Sequence, residues 1–166
     1  RPGLSTVHQL FTLQHFIDKG GTQEPLYCCF LDLKSAYDMV SRPALWEVLQ
    51  RLGVHGQMLA AIQSLYADSD VAVKVEGRCG ERVTSSTGVK QGCPLSPTLF
   101  GLFVDGLHHY LREKCPEDGP ELGDGTRVPD LGYADDFVMM SRTPAGHQRL
   151  LNATTGWCTM VNMVIS

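Results

Sequence analysis

Residues 131–140 read LGYADDFVMM, with Asp135 and Asp136 side by side between two apolar arms. Adjacent carboxylates repel, and Asp tolerates turn geometry, so an isolated Asp-Asp reads as the tip of an antiparallel hairpin. Here both arms are almost wholly apolar, so the turn grows from buried strands and not from a surface ribbon. A second apolar run, PLYCCFLDL (25–33), opens at Pro25 and carries Asp32 near its end; it reads as another buried strand. If the two segments are neighbours in one sheet, Asp32 lies beside the hairpin tip. Gathering carboxylates is costly: a pair about 4 Å apart repels by about 4 kcal/mol at an effective dielectric near 20. Protons or a cation must relieve that. Hard oxygen donors suit Mg²⁺, which keeps waters and completes its octahedron with substrate phosphates. Two such ions about 3.5–4 Å apart stabilise the attacking and leaving oxygens of a phosphoryl displacement. A triphosphate substrate fits this chemistry.

The rest of the chain sets the frame. Its 166 residues suit one domain or a large piece of one, and 43% hydrophobic with 19% charged residues is ordinary for a globular core. The start, RPGLSTVHQL, has no initiator Met and no apolar signal-type core, so it reads as cut from something longer. No apolar run is long enough to span a bilayer. The net charge of -4 argues mildly against nucleic-acid binding, which usually shows a basic footprint. Cys28, Cys29, Cys79, Cys93, Cys115 and Cys158 form no CxxC pair. They read as reduced thiols in an intracellular compartment, with no cysteine-zinc site. His108 and His109 are adjacent on a helical segment, so their rings diverge by about 100° and do not share a metal.

Helical periodicity marks LSTVHQLFTLQHFIDKGG (4–21), capped by Ser5 or Thr6 and ended by Gly20-Gly21. SRPALWEVLQRLGV (41–54) follows with Ser41 as cap, Pro43 early and Gly53 at its end, and then GQMLAAIQSLYADS (56–69). VAVKVEG and ERVTSST alternate across GRCG (77–80), as a hairpin does. The longest pattern, 94–114, carries Leu95, Leu99, Phe103, Leu107 and Leu111 as a core stripe, with Pro94 at its start. Residues 115–127, rich in Gly, Pro and acid, read as a solvent-facing loop; a last helix runs from about Pro144 to Trp157. The order is helix, strand, two helices, hairpin, helix, hairpin, helix. It predicts an α+β fold with a mixed or antiparallel sheet and helices packed on one face.

Several strings, which fall along the chain in the order one family has them, resemble that family. YADD between apolar arms resembles the metal-binding hairpin of reverse transcriptases, and FLDLKSAYDMV (30–40) their first catalytic motif, an Asp at a strand end followed five residues on by an aromatic. GVKQGCPLSPTLFGLF (88–103) is similar to the motif that opens the long palm helix in non-LTR (LINE-type) retrotransposon enzymes. RPGLST resembles the tail of a fingers motif, and residues 157–166 the segment after the hairpin. The resemblance covers nearly the whole chain. It implies a right-hand polymerase fold with fingers elements at 1–25 and 40–87, palm at 26–39 and 88–166, and no thumb. It also implies an RNA-directed DNA polymerase that takes an RNA template, a DNA primer and dNTPs, uses two Mg²⁺ ions (Mn²⁺ as the alternative), needs no membrane and works in the nucleus.

By the same resemblance, Asp32 and Asp135 bind both ions, Asp136 completes the set, and the Leu33 carbonyl is a further ligand. Tyr37 lies under the incoming sugar and collides with a 2′-hydroxyl, the group that separates ribo- from deoxyribonucleotides. Asp38 fixes the turn beside it. Gln91 and Gly92 open the long helix. Gln91 meets the template or the nucleotide, and Gly92 lets the backbone approach a base pair. Lys90 meets a phosphate or is a solvated surface residue, and Arg1 reaches the triphosphate. The sequence departs from the family at Leu4, where a second basic residue is common, at Asn162, where Gly is usual, and at Ser166, where Asn is usual. The Lys that protonates pyrophosphate in the family falls beyond Ser166. A catalytically inactive retroelement remnant is the alternative reading. An RNA-directed RNA polymerase is opposed by Tyr37, and a plain metal-dependent phosphohydrolase leaves residues 88–103 unexplained.

Overall fold

The computed structural model describes residues 5–20, 24–67 and 70–166. In chain order the elements are α1 (Thr6–Gly20), β1 (Tyr27–Asp32), α2 (Ala36–Met39), α3 (Arg42–Arg51), α4 (Gly56–Ala67), β2 (Asp70–Val75), β3 (Arg78–Thr84), α5 (Ser96–Lys114), β4 (Asp130–Tyr133), β5 (Asp136–Ser141) and α6 (Pro144–Val161). The sequence order of elements recurs, with the short α2 added. Two compact units form, residues 1–34 with 104–166, and residues 35–103.

The first unit is built on an antiparallel sheet in the order β1-β5-β4. Its central strand β5 is buried from Phe137 to Ser141, whereas edge strand β1 alternates half-buried and exposed positions. Side chains along a strand point to opposite faces in turn. Val138 and Met140 pack on Phe16 of α1, with Leu13, Leu26, Leu122, Val128 and Leu131 around them. On the other face, His108 of α5 lies 5.6 Å from the Phe137 ring, and Thr154 of α6 sets its Oγ1 3.7 Å from the Met139 sulfur. The α+β class therefore stands, and α5 and α6 share a face as expected. Helix α1 adds a layer on the opposite face. Two covered faces are the physical reason that β5 is an uninterrupted apolar run.

Loop 115–127 departs from its expected solvent exposure, because Cys115, Asp118, Gly119 and Pro120 are buried. Arg149 of α6 grips Asp118 with both arms, at 2.8 and 2.5 Å, and draws the loop onto the helix. The C-terminal carbonyls of α1 find a donor in Arg142, which reaches Phe16 O at 2.7 Å. Helix α6 runs four residues past Trp157, to Val161, and ends on Asn162 at φ 59°. Met163 N–H then returns to Cys158 O at 2.8 Å, as in a glycine-type helix stop. Asn is the non-glycine residue best able to hold that left-handed position, so the departure from Gly keeps the geometry.

In the second unit, Ser41 caps α3 by accepting from Ala44 N–H at 3.4 Å, as its sequence predicts. The β2–β3 ribbon turns at Glu76-Gly77, with φ 49° and 81°, and not across 77–80. A two-residue primed turn needs two consecutive positive φ values, which Glu-Gly supplies at its second position without strain. The long helix begins at Ser96, which leaves Pro94 in the preceding turn and Pro97 as the early helical proline. Leu99, Phe100 and Phe103, in the half of the helix that belongs to this unit, are buried. Leu107 and Leu111, in the half that belongs to the first unit, are buried as well.

Candidate active site

Register decides where the carboxylates fall. Strands β1 and β5 pair from Tyr27↔Ser141 to Asp32↔Asp136, so Asp32 and Asp136 are directly opposite and their side chains leave the same face. Directly opposed residues of an antiparallel pair hold their Cβ atoms about 4.5–5.5 Å apart. Strands β4 and β5 close the hairpin at Tyr133↔Asp136, leaving Ala134-Asp135 as a two-residue turn. Ala134 takes φ 55° at the first turn position, where hairpin turns of this length need a positive value. Asp32 and Asp136 are exposed and Asp135 is half-buried. None of the three carboxylates has a hydrogen-bond or ion-pair partner among the described residues.

Among the described residues, no three His, Cys, Asp or Glu side chains converge tightly enough to enclose an ion. The juxtaposition is thus the cross-strand pair Asp32–Asp136, with Asp135 next to it on the turn. This donor set fits Mg²⁺ chemistry, since that ion uses one or two carboxylates and fills its other positions with water and phosphate. Just past β1, Leu33 pairs with Ile165. Ser166 N–H donates to Asp32 O and Lys34 N–H to Val164 O, each at 2.9 Å, so the Leu33 carbonyl takes no part in that bridge. Residues 163–166 therefore brace the end of the strand that carries Asp32.

The second unit holds the other candidate residues. Tyr37, on α2, stacks on Phe100 with ring centroids 4.5 Å apart and planes at 18°. Gln91 Nε2 donates to Asp38 Oδ1 at 3.0 Å, so the Asp expected to fix the turn also holds the Gln. Val89 N–H donates to Tyr37 O at 2.8 Å. Gln91 and Gly92 lie in a turn ahead of α5 and not in the helix, with Gly92 at φ 81°. Lys90 is exposed, and its ammonium sits 5.8 Å over the Tyr66 ring. Arg1 lies outside the described residues.

Sequence reading missed several residues. Gly88 holds φ +83°, and a Cβ there would come 2.9 Å from Asp38 O, so this glycine lets the 88–92 loop close on Tyr37 and Asp38. Arg42 donates to Gly88 O at 2.9 Å and to Ser85 O at 2.6 Å, holding that loop from α3. In the first unit, His108 Nδ1 bonds Asp130 Oδ2, while His109 Nε2 turns to Asp105 at 3.3 Å. The two rings diverge as adjacent helical residues must. Burial works against charge on His108, but the hydrogen bond and charge of Asp130 outweigh it and raise its pKa. The available signal was Asp130 itself, an acid inside an apolar arm, which needs a partner when buried.

The family description "Reverse transcriptase (RNA-dependent DNA polymerase)" matches residues 2–166. The chain is 31% identical over 139 residues to the "Retrovirus-related Pol polyprotein from type-1 retrotransposable element R2" of Popillia japonica, which covers 81% of this chain and 22% of that one. It is 28% identical over 170 residues to the "RNA-directed DNA polymerase from mobile element jockey" of Drosophila melanogaster, covering 97% of this chain and 18% of the relative. It therefore spans about a fifth of the length of these curated relatives. Among solved structures, apo telomerase from Candida tropicalis superposes with a TM-score of 0.68 at 16% identity, covering 97% of this chain and 30% of that one. At that identity the likeness is one of fold. The family match over nearly all of the chain and its non-LTR retroelement relatives agree with the aspartate hairpin: the chain belongs to the reverse transcriptase family.

Proposed function

We propose that this chain is the nucleotidyl-transfer core of an RNA-directed DNA polymerase, which joins deoxynucleotides from dNTPs to the 3′-hydroxyl of a DNA primer on an RNA template. The observation that carries the reading is the register Asp32↔Asp136 at the tip of a hairpin whose turn carries Asp135. Asp32 and Asp135 would hold both Mg²⁺ or Mn²⁺ ions, with Asp136 and the Leu33 carbonyl completing the set. Such ions, when bound, supply positive charge where the attacking and leaving oxygens turn negative. The protein's part is to present unpartnered carboxylate oxygens on a rigid hairpin, so that little reorganisation is needed as charge develops.

Tyr37 is the sugar gate in this reading. Its stacking on Phe100 fixes the ring plane, and a fixed ring excludes a 2′-hydroxyl more sharply than a mobile one. Gln91, held by Asp38, presents its remaining amide hydrogen-bonding capacity to template or nucleotide. Gly92 leaves its backbone bare for a base pair, Lys90 meets a phosphate, and Arg1 approaches the triphosphate. Fingers elements at 1–25 and 40–87 and palm at 26–39 and 88–166 follow from the same reading. The net charge of -4 provides no general basic footprint, so phosphate contacts in this segment fall to individual cations.

The test is primer extension on an RNA template by the longer protein that carries this segment. Asp32→Asn or Asp135→Asn should cut the rate by about 10²–10³-fold, the scale for removing one preorganised electrostatic group. Failure of the unmodified protein to extend a primer with either Mg²⁺ or Mn²⁺ would sink the reading, as would unchanged rates in both variants.

A further inference from the structure

We infer that His108 and Asp130 form a brace that holds the aspartate hairpin on helix α5 and thereby sets the carboxylates for metal binding. The inference rests on the polymerase reading for its consequence and on separate contacts for its geometry. Asp130 is 5% exposed, at the start of β4 and opposite Met139 of the central strand. Its Oδ2 bonds His108 Nδ1, while its Oδ1 is buried with no partner among the described residues. A buried pair left partly unsatisfied adds little to stability, and an apolar pair of the same volume would serve the core as well or better. Its distinctive contribution is direction: one bond, from one helix, to one strand of the hairpin.

The His108 ring makes two further contacts with the same hairpin. It lies 5.6 Å from the Phe137 ring, next in sequence to Asp136. It also fills the space that a side chain at residue 132 would need. A Cβ on Gly132 would sit 2.8 Å from Phe137 Cε1 and 2.9 Å from His108 Cε1. Gly132 is thus the notch that admits the imidazole beneath the turn. The Gly132 carbonyl accepts from Gln9 of α1 at 3.2 Å, so helices from both sides of the sheet hold this one residue. A displacement of the imidazole would reach Asp136 through Phe137 and Asp135 through the short β4 arm. His108 touches none of the three carboxylates, so it is a positioning residue.

The test uses the longer protein with His108→Phe, which keeps a ring and removes the bond, and His108→Asn, which restores a donor near the Nδ1 position. Leu150→Val, a buried change on α6, serves as a comparison for general destabilisation. Mn²⁺ binding is read by electron paramagnetic resonance without nucleic acid, and kcat and KM for dNTP by primer extension. His108→Phe should weaken Mn²⁺ binding by about 10–100-fold, the usual cost of losing a residue that orients metal ligands. It should lower kcat with KM for dNTP changed less than about 2-fold. His108→Asn should recover most of both losses, and Leu150→Val should leave Mn²⁺ binding unchanged. If His108→Phe fails to fold, Asp130→Leu, which removes the acceptor, takes its place with the same expectations. Mn²⁺ affinity unaltered by loss of the bond, an equal loss in Leu150→Val, or an unmodified protein that binds no Mn²⁺ through Asp32 overturns the brace. The extension assay of the unmodified protein and its Asp32 and Asp135 variants decides the polymerase reading, so the two failures are distinct.

Discussion

Gly88 and Gly92 lie four residues apart and hold nearly the same φ, 83° and 81°, yet they lack a side chain for different reasons. At Gly92 a Cβ would meet nothing within 4 Å, so Gly92→Ala carries only the left-handed backbone cost, about 1–2 kcal/mol. At Gly88 the same atom would come 2.9 Å from Asp38 O and 3.0 Å from Asp38 Cα, and backbone cannot swing aside. Gly88→Ala should therefore lose more than Gly92→Ala in urea denaturation and should also disturb the Gln91–Asp38 bond, which amide exchange across 88–92 would report. Equal losses at the two sites would refute the steric argument. Tyr37→Ala offers a chemical test at the same scale: removing the stacked ring should admit ribonucleotides in primer extension, and unchanged sugar selection would remove the gate assignment. Asn162→Val, which forces a β-branched residue to φ 59°, should cost about 1–2 kcal/mol, whereas Asn162→Gly should be neutral or stabilising.

At the scale of elements, loop 115–127 shows what a single charge contact can organise. Asp118 is 6% exposed while Arg149 keeps most of its side chain in solvent. The Asp118 hydrogen bond and charge hold the Arg149 guanidinium above its usual pKa. Removing the arginine strands a buried carboxylate; removing the aspartate leaves a cation that water can solvate. Arg149→Ala should therefore cost more than Asp118→Ala. A double-mutant cycle by urea denaturation measures the difference, and equal losses would contradict it. This contact also explains why the loop was misread: its partners are 31 residues apart, and composition carries no trace of the pairing. The elements that were legible carry local signals. Ser41 with Pro43 starts α3, the expected stripe is buried from Leu99 through Phe103 and Leu107 to Leu111 with Leu95 half-buried ahead of the helix, and the apolar arms around Asp135-Asp136 form a hairpin. Asp32, Asp135 and Asp136 were visible because charge within apolar strands is costly and needs a reason. Gly88, Arg42 and His108 act through distant backbone or side-chain atoms, and nothing in their own neighbourhoods marks them.

At the scale of the whole molecule, two histidines of the first unit give its stability a pH dependence with opposite signs. His108 is raised above the usual 6.5: burial opposes its charge, Asp130 and then Asp105 favour it more strongly, and Arg112 opposes it weakly. Its contribution is complete below pH 6.5 and is lost as pH rises through the raised folded value. His147 is lowered from 6.5 by burial, and its Nδ1 is buried without a partner among the described residues. It folds neutral, so its contribution is complete above pH 6.5 and declines as pH falls toward the lowered folded value. Together they act in opposite directions, with an alkaline slope owed to His108 and an acid slope owed to His147. Urea midpoints measured from about pH 5 to about pH 9 should show both slopes. His108→Gln should flatten the alkaline side alone and His147→Gln the acid side alone. An alkaline slope that survives His108→Gln would mean that the Asp130 contact does not carry a proton-linked share of folding. The brace would then have to act through shape, with no contribution from charge.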